Sequence, residues 1–259
     1  MIKKETDKFE NSDILEGMPS ISSLFKGIES GVNDRKVLKI LFDESKIQSK
    51  KRELGFLKAK SYQHTFEIEF SKSEDIEALT VGSTHGGIIA LCSSRSIPSL
   101  SPEKIINNGC YFILEGVEDP YNFGYAIRSI FASGANGIIL GERNWMGAAG
   151  IVARSSAGAS ELIDMYVSEP SEAIKIFKDK GYSIVCAGIR DSVSIFDTDL
   201  SKPLLIILGG EKRGISRTVL DMADKIVRID YGTQFGGSLS TSAAAAVFGF
   251  EVFRANLKK

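Results

Sequence analysis

The chain has 259 residues, 43% of them hydrophobic, with a formal net charge of -1 at pH 7. That length and apolar content suffice for one large domain, or a small domain beside a medium one, and exclude a scaffold that folds only with staples. The near-zero charge neither supports nor excludes a polyanionic partner, because phosphate binding needs a local basic face rather than a basic total.

Cys92, Cys110 and Cys186 lie in apolar runs without paired spacing and read as reduced core residues. His64 and His85 are too few and too far apart in sequence for a metal site, so no metal is expected. The stretch Met1 to Asp7 lacks the apolar core of a signal peptide, and no apolar run approaches the roughly 20 residues that cross a bilayer. A cytoplasmic location is the expectation.

Residues 1–17 are polar, charged and aperiodic, and read as a flexible tail. Ile21, Leu24, Phe25 and Ile28 then fall at helical spacing and stop near Gly31. A buried strand over Val37 to Phe42, a helix over Gln48 to Ala59, a strand near His64 to Phe70, a helix from Ser73 to Leu79 and a strand from Ile88 to Cys92 complete a small α/β domain, 18–93. Its densest basic run, Lys46, Lys50, Lys51, Arg52, Lys58 and Lys60, is either a solvated helix face or a phosphate-contacting surface. A Ser/Pro-rich linker, 94–107, follows.

From 108 to 259 apolar strands alternate with helical segments: Tyr111 to Leu114, Gly137 to Leu140, Ser183 to Ala187, Leu204 to Leu208 and Lys225 to Ile229, closed by a helix from Ser242 to Asn256. Such alternation predicts a mostly parallel sheet buried on both faces. In sheets of this kind ligands bind at the carboxyl ends of the strands.

Three loops leave those ends. In Asp119-Pro120-Tyr121-Asn122, Asn122 is placed to cap a helix beginning near Gly124, and Arg128 lies close to the face carrying Gly124 and Tyr125. In Leu208-Gly209-Gly210-Glu211-Lys212-Arg213-Gly214, adjacent glycines let backbone approach a ligand, and Glu211 is a general acid or base or an ion-pair partner. The turn lacks both the dinucleotide fingerprint and the phosphate-loop ending. The third loop, Ile229 to Ser242, is rich in glycine and hydroxyls and precedes an alanine run; by itself it reads equally as a helix cap. Trp145, Tyr231 and Phe235 are candidates for base stacking, packing or subunit contact.

Asn122 with Arg128, Gly209 to Gly214 around Glu211, and Ser238-Leu239 fall in the order of motifs of the SpoU (TrmH-like) RNA ribose methyltransferases of the SPOUT superfamily, which the chain resembles. Arg154-Ser155-Ser156-Ala157-Gly158-Ala159 is similar to a further family segment, and 18–93 resembles the ribosomal-protein-like RNA-binding domain of many members. The resemblance implies a trefoil-knotted α/β domain, an obligate homodimer, S-adenosylmethionine as methyl donor, and an RNA substrate, ribosomal ahead of transfer RNA. It implies Arg128, Asn122, Glu211 and Ser238 as catalytic residues, with Arg128 near the target ribose and oriented by Glu211 and an RNA phosphate. Gly209, Ile229, Leu239, Gly214 and Leu208 would hold the cofactor, and Lys50, Lys51, Arg52 and Arg154 would face RNA.

Ser240 stands where the family usually has asparagine, Asp230 where a proline is common, and Gly86 where the small domain commonly has glutamine. A rival reading is a catalytically silent RNA-binding or assembly factor on the same fold. Another is a small-molecule nucleotide enzyme, disfavoured by the missing phosphate fingerprints.

Overall fold

A computed structural model describes residues 12–82, 84–141 and 148–257, and these form two compact units. The first comprises the chain up to Ser96 together with a later segment ending at Leu162; the second runs from Ile97 to residue 141 and from Ile163 onward. The candidate residue Trp145 and the first eleven residues of the expected tail lie outside the described residues. Among the described residues, no helix is long and apolar enough to cross a membrane.

The first unit opens with β1 (Ser12–Glu16), α1 (Gly17–Ser30), β2 (Val37–Asp43), α2 (Lys51–His64), β3 (Glu67–Ser71), α3 (Ser73–Glu77) and β4 (Ile88–Ser93). Its four-stranded sheet has the order β1-β4-β2-β3, with β4 antiparallel to both neighbours and β3 parallel to β2. Ile21, Leu24 and Phe25 of α1 are fully buried, as their helical spacing requires, and Gly31 ends the helix at φ 74°, a left-handed conformation that favours glycine. The expected tail ends sooner than its composition suggested. Ser12 to Glu16 is an edge strand that buries Leu15, and the polar reading failed because Asp13 and Glu16 are themselves buried.

The second unit contains β5 (Cys110–Glu115), α4 (Pro120–Ala132) and β6 (Gly137–Leu140). The chain then returns to the first unit for α5 (Ala149–Ser155) and a short turn of 3-10 helix, Ala159–Glu161. Back in the second unit come β7 (Asp164–Val167), α6 (Pro170–Asp179), β8 (Ser183–Ala187), β9 (Val193–Ser194), β10 (Leu204–Gly209), α7 (Arg217–Asp221), β11 (Lys225–Arg228) and α8 (Thr241–Ala255). Seven strands pair in the order β7-β6-β5-β10-β8-β11-β9, every pair parallel. Central strand β10 is buried throughout Leu204 to Leu208, as a parallel strand covered on both faces must be. Cys92, Cys110 and Cys186 are free and buried, and burial pushes each thiol up to about 12.

Two expectations about boundaries need correction. The presumed linker is bonded at both ends: Arg95 donates to the carbonyl of Val32 at 2.9 Å in the first unit, and Leu100 N donates to Val167 O at 2.9 Å in the second. The segment from Ala148 to Leu162, expected inside the methyltransferase domain, packs instead with the first unit. Ala153 enters that unit's core, and a Cβ on Gly27 would meet the Glu161 carbonyl at 2.0 Å, so helix α1 and this segment touch backbone to backbone.

A buried charge cluster fixes that docking. Arg35 pairs through Nε with Glu161 at 2.9 Å and through Nη1 with Asp13, while Asn33 donates to the Glu161 carbonyl at 3.0 Å. Burial opposes the Arg35 charge, yet the Glu161 and Asp13 carboxylates beside it raise its pKa above the ordinary value. Removing one partner leaves a buried charge uncompensated. Glu161→Ala is expected to lower stability in urea unfolding by about 3 kcal/mol.

Candidate active site

Three of the loops at the carboxyl ends of the parallel sheet converge in the second unit. Asp119, not Asn122, caps α4: its Oδ1 accepts from Asn122 N at 2.8 Å, and Pro120 occupies the first helical turn, where its missing N–H costs nothing. The helix therefore begins earlier than expected, and the Asn122 side chain is released from capping. Its Nδ2 donates to Glu211 Oε1 at 3.1 Å.

Glu211 also accepts from the amide of Thr241 at 3.4 Å, so one carboxylate oxygen meets the loops that follow β5 and β11. Arg128 is not among its partners. Six residues of helix separate Arg128 from Asn122, about 9 Å along the axis and some 240° around it, which sets the guanidinium on a different face. There it is exposed, one turn beyond exposed Tyr125.

The turn after β10 is shaped by crowding. Gly210 N donates to Glu115 O at 2.7 Å, and a Cβ on Gly210 would lie 2.1 Å from the Gly116 carbonyl. A Cβ on Gly209 would meet the Gly214 backbone at 2.5 Å, and Gly214 itself takes φ 62°. Only glycine fits this fold of backbone. The third loop starts at β11, which is separated from β10 by β8, about 10 Å at ordinary strand spacing. To reach Glu211 it crosses the end of β8.

That crossing roofs a cavity of about 270 Å³, just under the usual size of small-molecule sites. Its lining includes Leu208, Gly209, Glu211, Gly214, Ile229, Ser238 and Leu239, seven of the residues singled out from sequence. Asn122 reaches the site through Glu211, and Arg128 is not part of the lining. Sequence reasoning missed Ala187 at the end of β8 and Gly188 and Ile189 after it, and Phe248 and Thr241 of α8. A glycine directly after the strand ending at Ala187 was the available signal for the first group.

Apolar walls from Leu208, Ile215, Val227 and Phe248, with half-buried backbone at Gly188 and exposed backbone at Gly214, suit a ligand carrying a flat apolar ring and hydrogen-bonding edges, such as an adenosine. Ser240, standing in place of asparagine, caps α8: its Oγ accepts from Ala243 N at 3.2 Å. Serine and asparagine are comparable caps, so the substitution preserves this local function.

The residues expected to face RNA lie in the first unit. Lys51 and Arg52 are exposed at the start of α2, and Lys50 immediately precedes them, its Nζ placed beside Gly86. Arg154 is committed differently, pairing with buried Glu16 at 3.0 Å. His64 contacts Glu29 at 3.2 Å, and buried His85 accepts from Gly87 N at 3.0 Å.

The crowding at Gly210 makes it the most sensitive position of the turn. Gly210→Ala is expected to destabilise the chain by roughly 1–3 kcal/mol, the scale of overpacking, measured by thermal unfolding.

Comparison with known proteins agrees with this geometry. The description "SpoU rRNA Methylase family" matches residues 109–250. A TrmH-family protein of Staphylococcus saprophyticus is 36% identical over 143 residues, 55% of this chain and 57% of the relative, so this match spans little more than half of that relative's length. A 23S rRNA (guanosine-2'-O-)-methyltransferase of Burkholderia is 24% identical over 251 residues, 95% of this chain and 98% of the relative. The crystal structure of an AdoMet-bound rRNA methyltransferase from Sinorhizobium meliloti superposes with a TM-score of 0.76 at 22% identity, covering 99% of this chain and 92% of that one, a likeness of fold. With the family description matched over residues 109–250, more than half of its length, the chain belongs to the SpoU rRNA methylase family.

Proposed function

We propose that this chain methylates RNA, transferring a methyl group from S-adenosylmethionine to a ribose 2′-hydroxyl, in ribosomal RNA ahead of transfer RNA. The observation that carries the reading is the hydrogen bond from Asn122 to Glu211 at 3.1 Å, at the rim of a glycine-built cavity, on the helix that presents Arg128 to solvent. The guanosine-2'-O activity named for the Burkholderia relative supports ribose as the acceptor. The cofactor bound to the Sinorhizobium meliloti protein supports S-adenosylmethionine.

When bound, the cofactor supplies an electrophilic sulfonium methyl group. The cavity's own part would be positional: Leu208, Gly209, Gly214, Ile229 and Leu239, which line it, would hold the cofactor and exclude water while the acceptor approaches. A ribose hydroxyl is a weak nucleophile, and charge must be managed as its proton leaves. In this reading the RNA would span the cavity and the exposed Arg128 on α4, whose guanidinium would offset the charge on the 2′-oxygen as its proton passes to solvent; Asn122 and Glu211 keep the start of α4 and the second loop in fixed register, and Ser238 lies at the cavity wall.

The first unit would grip the RNA backbone through Lys51 and Arg52, exposed at the start of α2, with half-buried Lys50 just before them. A homodimer is proposed as the working form. Helices α4 and α8, which pack on each other, leave Tyr125, Phe131, Phe250 and Phe253 exposed, an apolar surface suited to a second copy. The trefoil knot implied by the family resemblance belongs to the same proposal, as does a cytoplasmic setting.

Mapping of 2′-O-methyl sites in RNA from cells with and without the gene tests the activity and finds the substrate; an unchanged map would refute it. Arg128→Ala is expected to lower kcat at least about a hundredfold, the scale of one transition-state charge contact, with S-adenosylmethionine affinity little changed in calorimetry. Turnover near wild type would remove Arg128 from the chemistry.

A further inference from the structure

We propose that Thr241 is a positioning residue that registers the third loop on the second and so sets the shape of the cofactor cavity; this rests on the methyltransferase reading above. Thr241 is 4% exposed and is the first residue of α8. Its Oγ1 donates to the carbonyl of Gly209 at 2.8 Å, while its amide donates to Glu211 Oε1 at 3.4 Å. Side chain and backbone of one residue thus reach two residues of the second loop, and all three residues line the cavity.

Neighbouring hydroxyls are engaged otherwise. Ser240 Oγ accepts from Ala243 N at 3.2 Å and lies 2.9 Å from Ser242 Oγ, so it serves the start of the helix. Leu239 N donates to Tyr231 Oη at 3.2 Å, closing the third loop upon itself. Of the side-chain hydrogen bonds made by Ser240, Thr241 and Ser242, the Thr241 hydroxyl makes the one that ties the third loop to the end of β10. Valine would fill the same space but has no donor, and the Gly209 carbonyl would lose its partner in a half-buried place. Ser238 and Leu239, a few residues before the anchor, would then be free to shift against Gly209.

The experiment compares full-length wild type with Thr241→Val, Thr241→Ala and Thr241→Ser in two readouts. Calorimetry and steady-state kinetics measure Kd, KM and kcat for S-adenosylmethionine. Amide hydrogen exchange of Leu239 to Ala243 is followed in protein without cofactor. Loss of one net hydrogen bond should raise Kd about fivefold in the valine variant, with the effect falling on KM more than on kcat, and speed exchange in the loop. Serine, which keeps the donor, should restore both to within about twofold.

Valine and alanine variants that fold, bind like wild type and exchange like wild type would overturn the proposal. So would a serine variant as impaired as the valine one, because that points to shape rather than the hydroxyl. If valine prevents folding, the alanine variant gives the same comparison. If wild type itself binds no S-adenosylmethionine, the methyltransferase reading fails, and hydrogen exchange alone decides whether Thr241 registers the loops.

Discussion

One oxygen of Glu211 joins parts of the chain far apart in sequence. Oε1 receives Asn122 from the start of α4 and Thr241 from the start of α8, and Glu211 itself rides on the turn after β10. A parallel sheet brings its strand ends to one edge but does not tell the loops how to arrange themselves there. Here the arrangement comes from a carboxylate with more lone pairs than any single donor can use. Lose it, and the third loop is held to the second by the Thr241 hydroxyl and the first by the Lys212–Glu118 ion pair, with no single group joining all three.

Below that rim the second loop is held by steric necessity. The Gly116 carbonyl lies where a Gly210 side chain would begin, and Gly209 also packs against the Gly214 backbone. Close approach leaves room above the turn, and the loop from β11, crossing the end of β8, encloses it. The cavity is thus a product of strand order: had β10 and β11 been neighbours, the third loop would have had no strand end to bridge.

Much of the second unit was legible because its strands are continuous apolar runs and its ligand-facing turns carry glycine. Gly137–Leu140 and Ser183–Ala187 were read to the residue, and the three site loops were placed correctly after their strands. β9 escaped because it has only two residues, Val193 and Ser194, too few to show a period, and β7, as long as β6, because it opens on exposed Asp164 and is not a continuous apolar run. Asn122 was read as a cap because asparagine caps well, but Asp119 followed by Pro120 forms a cap and first turn together. Thr241 was invisible for a different reason. A hydroxyl in a glycine- and serine-rich loop looks like any other until a distant carbonyl is found beside it.

The return of residues 148–162 to the first unit has a consequence for the order in which the protein can be made. Arg35 emerges from the ribosome long before Glu161, and residues 97–143 of the other unit are synthesised between them. The first unit, although it comes first, cannot complete its buried ion pairs or seat Ala153 in its core until residues 97–143 of the second unit have been made. The Arg35–Glu161 pair alone spans 126 positions of sequence, so this part of the first unit's folding waits on a long-range contact.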